Sequence, residues 1–240
     1  MLKLIHTIAG LLLFGLLQGQ NVHETFTFEL RFGWIKGGEA TYQTKDTLIG
    51  NHNELYTELH GYTTGFAQTL YSVNDQFESI LSYDDLLPFF STKNLNEQNY
   101  RYTEIVEFDH ENGIAVSNQS GTHFVDNGIC DISSLMYNVR FSGRLNHLKL
   151  NEIIEIPFWD TNEWYILKLK YTGIEKVKTR LGFFECIRLE PQQVSGRFFN
   201  KNNPVNIWIT NDSLKLPVLM ELNFSIGSVK CELKSTLHKP

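Results

Sequence analysis

Period-two alternation of apolar and polar residues runs through most of this sequence and constrains its fold more than any other feature. The first stretch alternates apolar residues with polar residues or glycine: Phe26, Phe28, Leu30, Phe32 and Trp34. Such a pattern predicts a strand with one apolar face. Similar segments, separated by turns rich in Gly, Asn and Asp, follow one another to the C-terminus. Aromatic residues make up 13% of the chain, and flat rings pack well on a pleated sheet.

Two segments depart from the alternation and predict short helices. Residues 65–71 lack a strand pattern, and we interpret them as the first helix. In the second, residues 131–140, apolar side chains recur three and four residues apart, which places them on one helical face. They are Ile132, Leu135, Met136 and Val139. Asp131 precedes them and is a suitable N-cap, because its carboxylate can accept hydrogen bonds from the free N–H groups of the first turn.

The order of these segments predicts a single large antiparallel sheet. Consecutive strands joined by short turns pair with their neighbours. About a dozen twisted strands cannot stay flat, so the sheet is expected to curl into a half-barrel or open barrel. The two short helices would bury their apolar faces on the concave side. No composition shift marks a linker, so residues 20–240 are predicted to form one domain.

The N-terminus has the features of a secretory signal peptide, assigned to residues 1–19. Lys3 is followed by an apolar run over residues 8–17, which is shorter than the roughly 20 residues of a membrane-spanning helix. Cleavage is predicted after Gly19 or Gln20, with no cysteine there to accept a lipid anchor. We therefore expect an exported chain, periplasmic or secreted, without a transmembrane segment after cleavage. An uncleaved anchor helix and a buried first helix are the alternatives.

Charge and cysteine content narrow the functional classes further. The formal net charge of −6 argues against a nucleic-acid binder, which normally has a basic face. The chain contains Cys130, Cys186 and Cys231, an odd number that allows at most one internal disulfide. Cys186 and Cys231 lie in predicted strands and could pair. Alternatively, all three are buried thiols that act as small hydrophobic residues.

Residues suited to catalysis or metal binding are few. His123, Asp126 and Cys130 are spaced three and four residues apart, and these residue types bind zinc or form nucleophilic pairs. A structural zinc site needs four ligands, and no paired motif accompanies these three. Acidic pairs at residues 84–85 and 109–111 fit turn residues better than facing catalytic carboxylates. The sequence therefore predicts no metal, no cofactor and no catalytic residue.

Three segments resemble a known bacterial family: residues 33–40 (GWIKGGEA), residues 182–191 (GFFECIRLEP) and residues 207–218, which begin IWITND and end LPV. The chain resembles the exported family named domain of unknown function 3108, from about residue 22 to residue 235. The resemblance implies secretion by Gram-negative bacteria such as Bacteroidota and no assigned activity. It also implies a fold similar to periplasmic lipoprotein carriers, in which a curled antiparallel sheet surrounds a hydrophobic cavity plugged by helices.

These observations favour a binding protein over an enzyme. Where the concave sheet exceeds what two short helices can fill, an apolar cavity remains that suits an acyl chain or a lipoprotein anchor; a fully packed core is the alternative. The residues predicted to line or plug the cavity are Phe28, Phe32, Trp34, Leu70, Met136, Tyr137, Phe141, Tyr165 and Leu167. We expect a monomeric, non-enzymatic periplasmic carrier of an apolar ligand. The alternatives are an envelope assembly factor that binds another envelope protein through a strand edge and, less favoured, a hydrolase.

Overall fold

Fourteen β-strands and two α-helices make up the described part of the chain. The computed structural model of this 240-residue protein describes residues 22–192, 205–224 and 227–238, so the predicted signal peptide lies outside the described residues. The strands are β1 (Val22–Phe32), β2 (Ile35–Ile49), β3 (His52–Thr63), β4 (Asn74–Leu81), β5 (Pro88–Glu97), β6 (Tyr100–Asp109), β7 (Ile114–Ser117), β8 (Gly121–Phe124), β9 (Ile153–Asp160), β10 (Glu163–Thr179), β11 (Gly182–Pro191), β12 (Val205–Thr210), β13 (Pro217–Phe224) and β14 (Gly227–His238). The helices are α1 (Gly65–Leu70) and α2 (Ile132–Phe141).

All fourteen strands belong to one antiparallel sheet, as the alternation predicted. The strand order is β8-β7-β6-β5-β4-β3-β2-β1-β14-β13-β12-β11-β10-β9. Consecutive strands therefore pair throughout, except β8 and β9, which are the two edges, and the one pair that is not consecutive is β1 with β14 at the centre of the sheet. We call β1–β8 the N-terminal wing and β9–β14 the C-terminal wing.

The sheet is curled but does not close into a barrel. Its two edge strands, β8 and β9, lie at opposite ends of the strand order. Side chains of β5 and β6 reach across to the edge strand β9, where Lys93 Nζ lies 2.8 Å from Asp160 Oδ1. Glu104 Oε1 also accepts hydrogen bonds from the Asn162 backbone N at 3.0 Å and from Trp159 Nε1 at 3.3 Å. These contacts confirm the predicted half-barrel.

The two helices occupy different places. α2 contacts β3, β4 and β9 and carries five buried residues, which places it on the concave side as predicted. α1 carries no buried residue and lies beside the start of β2, where the Thr64 backbone N donates to Gly37 O at 3.0 Å. The prediction that α1 also fills the concave side is wrong, because a helix of one and a half turns offers too few apolar residues to form a buried face. Neither α1 nor α2 is long and apolar enough to cross a membrane.

The apolar core of the described residues divides into clusters. The largest lies between α2 and the C-terminal wing, and a second joins β1 and β2 to β11–β14 at the centre of the sheet. The three cysteines are free thiols: Cys130 and Cys186 are buried and Cys231 is half-buried. The disulfide between Cys186 and Cys231 that the sequence left open is therefore not present.

Candidate functional site

A row of polar side chains crosses the concave face of the N-terminal wing. Cross-strand pairing sets one residue from each of five strands side by side. This polar row consists of Glu24, Thr44, Thr57, Ser79 and Ser91, all of them buried. Because side chains alternate between the two faces of a strand, this register directs the whole row inward. Four of its members have short side chains, which leave room for a helix to approach the sheet.

The first turn of α2 is hydrogen-bonded to the middle of the polar row. Ser133 Oγ lies 2.8 Å from Thr57 Oγ1, and the Ser79 hydroxyl donates to the Asp131 carboxylate at 2.7 Å. Asp131 is also the N-cap, because its carboxylate accepts from the Ser134 backbone N at 3.0 Å. Burial raises the pKa of Asp131, and the hydrogen bonds from Ser134 and Ser79 oppose that rise only in part. The predicted cap is thus confirmed, and it also binds the sheet.

The last turn of α2 is bound to the end of the polar row by a buried ion pair. Arg140 makes two hydrogen bonds to the Glu24 carboxylate, one of them between Nη2 and Oε2 at 3.0 Å. Both side chains are almost completely buried. Arg140 also donates to the backbone O of Leu214 at 2.9 Å, and its guanidinium lies 4.8 Å from the Phe26 ring centre. A buried charge needs such compensation, since an unpaired one is strongly destabilising.

The three contacts follow the order of the strands and fix the direction of α2. Asp131 meets β4, Ser133 meets β3 and Arg140 meets β1. A helix rises about 14 Å over the nine residue steps from Asp131 to Arg140, and the three strand spacings from β4 to β1 span about the same distance. The helix therefore lies across the strands, with its length matched to the row beneath it.

The other face of α2 packs against the C-terminal wing through apolar side chains. Val139 is buried there, and Ile132 and Leu135 are half-buried against the same cluster. The sheet residues of this apolar interface include Ile154, Ile156, Phe158, Leu167, Leu169 and Leu189. The chain just before α2 is fixed to β9, because Cys130 N donates to Pro157 O at 2.9 Å and Trp159 N donates to Cys130 O at 2.8 Å. The two wings thus meet different faces of one helix.

Tyr165 is a polar group in this otherwise apolar interface. Its ring packs beside Phe158, with 5.5 Å between ring centres. Its hydroxyl is buried and has no hydrogen-bond partner among the described residues. Burial raises the pKa of Tyr165, so the group remains protonated and can donate a hydrogen bond.

The predicted cavity residues divide into two groups. Those in or beside the interior are Phe28, Met136, Tyr137, Phe141, Tyr165 and Leu167. Phe28 and Leu167 are buried, whereas Tyr137 is half-buried against the exposed ring of Phe141, with 4.7 Å between ring centres.

The second group lies outside the interior and corrects the prediction. Phe32 and Trp34 are exposed where β1 turns into β2, and Leu70 is 64% exposed on α1. These three residues are apolar, but the strand that would carry Phe32 and Trp34 inward ends at Phe32. The interior face therefore ends before they can reach the helix.

The residues considered for metal binding or catalysis do not form a site. His123 packs against the Trp159 ring at 5.1 Å, whereas Asp126 is exposed. Burial raises the pKa of the Cys130 thiol to about 12, which disfavours the nucleophilic thiolate. In the ranges that the structure describes, no group of three or more His, Cys, Asp or Glu side chains is placed to hold a metal ion.

Sequence reasoning missed the polar row and the Glu24–Arg140 ion pair. A signal for the row was present, because Glu24 shares the alternating face of Phe26 and Phe28, and Thr57 lies between Leu55 and Leu59. A polar residue on an apolar strand face indicates a buried partner. The identity of that partner required the cross-strand register and the position of α2.

Comparison with known proteins supports the fold and assigns the family. A crystal structure titled beta-barrel-like protein of domain of unknown function DUF1849, from Brucella abortus, superposes with a TM-score of 0.58 and 8% identity, covering 93% of this chain and 100% of that chain. At that identity the likeness shows the fold alone. No curated protein matches the chain in sequence. The family DUF3108, described as a protein of unknown function, matches residues 27–234, from the first strand to the last. The chain therefore belongs to the DUF3108 family.

Proposed function

We propose that this protein is a non-enzymatic binder or carrier of an apolar ligand in the bacterial cell envelope, with an acyl chain as the ligand class. One observation carries the proposal: α2 is hydrogen-bonded and ion-paired to the N-terminal wing, whereas its contacts with the C-terminal wing are apolar apart from the Arg140 hydrogen bonds to the β12–β13 connection. The ligand would enter this apolar interface.

The two kinds of contact differ in how readily a ligand can replace them. Hydrogen bonds and the buried ion pair need fixed geometry, so a ligand cannot substitute for Glu24 or Thr57 without leaving a polar group unsatisfied. Apolar contacts are non-directional, and an acyl chain gains about 0.8 kcal/mol for each buried CH₂ group. A ligand can therefore take over the contacts of Leu135 and Val139 while α2 remains on the polar row.

Tyr165 gives this interface a group that can recognise a polar ligand end. Its buried hydroxyl, without a partner among the described residues, can donate to a carboxylate or ester oxygen. An acyl chain that ends in such a group would satisfy this donor and replace the apolar contacts of the interface with one molecule.

Periplasmic location and the monomeric state are part of the same proposal. The predicted signal peptide supports export, and N-terminal sequencing of protein from a periplasmic extract tests it, with a new N-terminus expected at Gln20 or Asn21. The alternative role in envelope assembly has less support, because edge strand β8 is only four residues long and its Phe124 O already accepts from Trp164 Nε1 at 2.9 Å.

The test is a fluorescence titration of the mature protein with cis-parinaric acid, a fluorescent fatty acid. The variant Leu135→Trp fills the apolar interface and is expected to weaken binding about tenfold or more. Leu48→Trp adds the same bulk at a position that is 64% exposed on β2 and is the matched control. Tyr165→Phe removes only the hydroxyl and is expected to weaken binding by about threefold to tenfold.

A disulfide tests which face of α2 opens. The hydroxyl oxygens of Thr57 and Ser133 are 2.8 Å apart, so the variant Thr57→Cys/Ser133→Cys can lock the helix to the N-terminal wing. The oxidised variant is expected to bind cis-parinaric acid as the wild type does. Absence of binding by the wild type, or equal binding by Leu135→Trp and Leu48→Trp, contradicts the proposal.

A further inference from the structure

One end of the N-terminal wing exposes a group of large apolar side chains that the interior does not use. They lie in the β1–β2 turn and in the connection from β3 to β4 that contains α1, and antiparallel pairing brings both connections to the same end of the sheet. We call this group the rim: Phe32, Trp34, Ile35, Phe66, Leu70 and Tyr71. Trp34 is 84% exposed and Phe66 is 70% exposed. Several exposed aromatic residues grouped at one end indicate an interaction surface, because the exposed apolar residues of an ordinary protein surface are scattered singly.

The rim carries two exposed basic residues, each paired with a more buried acid. Arg31 and Lys36 are the charged residues within residues 30–38 and 59–74, and the acidic residues next to these segments include Glu29, Glu39, Asp75 and Glu97, of which Glu97 accepts a hydrogen bond from Tyr71 of the rim. Arg31 lies 2.6 Å from the carboxylate of Glu29, and Lys36 lies 2.7 Å from that of Glu39. In both pairs the carboxylate is the more buried partner, so the cations are presented to solvent.

The opposite end of the same wing has the reverse character. The β4–β5 connection carries Asp84 and Asp85, and Asp109 and Glu111 lie where β6 turns into β7. A negatively charged surface would therefore attract the rim end and repel the far end. The molecule has a preferred orientation toward such a surface.

A polar groove lies at the rim end, beside α1. It is open, with a volume of about 650 Å³, and its lining includes His60, Gln68, Asn74 and Arg101. These side chains provide hydrogen-bond donors next to the exposed apolar residues of the rim. Lipid headgroups offer phosphate and ester oxygens immediately above an apolar layer. The donors of the groove can therefore bind the headgroup oxygens while the rim contacts the apolar layer.

We propose that the rim docks onto the surface of a bilayer that contains anionic lipids. Trp34, Phe66 and Leu70 enter the interfacial layer, where aromatic side chains are favoured. Arg31 and Lys36 add attraction to anionic headgroups. This inference deepens the proposed function by naming the source of the apolar ligand, and it rests on that function for its purpose, although membrane docking is measured separately from ligand uptake.

The test is sedimentation of the mature protein with vesicles of phosphatidylcholine alone or mixed with phosphatidylglycerol. We expect stronger binding to the mixed vesicles and weaker binding as the salt concentration rises. The variant Trp34→Ser/Phe66→Ser is expected to bind the mixed vesicles at least about tenfold more weakly than the wild type does. The control Leu48→Ser/Phe124→Ser removes two comparably exposed apolar side chains at the opposite end and is expected to bind as the wild type does.

Two further readouts distinguish docking from ligand binding and misfolding. The emission of Trp34 is expected to shift to shorter wavelength with mixed vesicles, and the variant Trp34→Phe identifies its share of the signal. Circular dichroism establishes that each variant is folded, and cis-parinaric acid binding by the rim variant is expected to be unchanged. Docking is refuted if the wild type fails to sediment with mixed vesicles or if the rim and control variants sediment equally. If the wild type does not bind cis-parinaric acid, the proposed function is overturned, but the docking proposal is not.

Discussion

The two wings of the sheet hold the same helix by different chemistry, apart from Arg140, which also donates to Leu214 O in the β12–β13 connection of the C-terminal wing. The N-terminal wing presents the polar row, and its Glu24, Thr57 and Ser79 contact the polar residues of α2. The C-terminal wing presents apolar side chains such as Phe158 and Leu167 to another face of the helix. Directional contacts therefore fix the position of α2, whereas non-directional contacts fill the space beside it.

This difference separates positioning from binding in the interior. A helix held only by apolar contacts could slide or repack when a ligand enters, because such contacts specify volume more than geometry. A helix held only by polar contacts would leave no surface for an apolar ligand. The combination gives a fixed wall on one side and an exchangeable one on the other, and four predictions test this division.

The largest effect is expected from breaking the ion pair. Arg140→Leu leaves Glu24 buried without its cation, which should lower the free energy of unfolding by about 3–5 kcal/mol, as measured by urea denaturation at pH 7. The double variant Glu24→Leu/Arg140→Leu removes both charges and should recover a large part of that loss. Equal losses in the single and double variants would show that the ion pair does not hold α2 in the way described.

A smaller loss is expected from the apolar wing. Leu167 is completely buried, so Leu167→Ala should lower the free energy of unfolding by about 2–4 kcal/mol through lost apolar burial and the cavity left behind. The control Val116→Ala, at an exposed position on β7, should change it by about 0.5 kcal/mol or less. A loss no larger than that of the control would place Leu167 outside the packed core.

The hydrogen bond between Thr57 and Ser133 provides the third test. Each of Thr57→Val and Ser133→Ala leaves one buried hydroxyl without its partner and should cost about 1–2 kcal/mol. The double variant leaves none, so its cost should fall short of the sum by about 1 kcal/mol. The same urea denaturation series measures all three, and strict additivity would mean that the two hydroxyl groups do not interact.

The smallest effect is a pH dependence that arises from Asp131. Burial raises its pKa above the ordinary value of 3.8, so between that value and the folded-state pKa the folded chain retains a proton that the unfolded chain has lost. The free energy of unfolding contributed by this group is therefore greatest below 3.8 and declines as the pH rises through the folded-state pKa. Denaturation at several pH values should reveal this decline in the wild type and in the exposed-site control Asp126→Asn, but not in Asp131→Asn. A decline that persists in Asp131→Asn would assign it to another group.

Much of the sheet was predictable from the sequence, because apolar and polar residues alternate wherever one face of a strand is buried. Two parts escaped detection. β8 has only four residues, mostly exposed, which is too short for a pattern. β10 continues to Thr179, beyond the clear alternation that ends at Tyr171, because a bulge between Tyr171 and Gly173 interrupts the pattern and charged residues follow.

The interior site was predictable only in part. Helical spacing located α2 and its cap at Asp131, and it identified an apolar face. It could not show that Ser133 and Arg140 are buried as well, since their partners Thr57 and Glu24 are distant in sequence and are defined by the fold. Apolar character likewise assigned Trp34 and Leu70 to the interior, where only the ends of the strands could have excluded them.

The pairing of β1 with β14 has a consequence for how the chain assembles. Each wing consists of hairpins between sequence neighbours, so the strands of both wings can pair after the closure of short loops. Among the strand pairs, β1 with β14 joins segments roughly two hundred residues apart, Glu24–Phe32 with Val229–His238. This pair cannot form before β14, the final strand, is present. Assembly therefore ends at the middle of the sheet, so removal of β14 would leave two halves without the ladder that unites them.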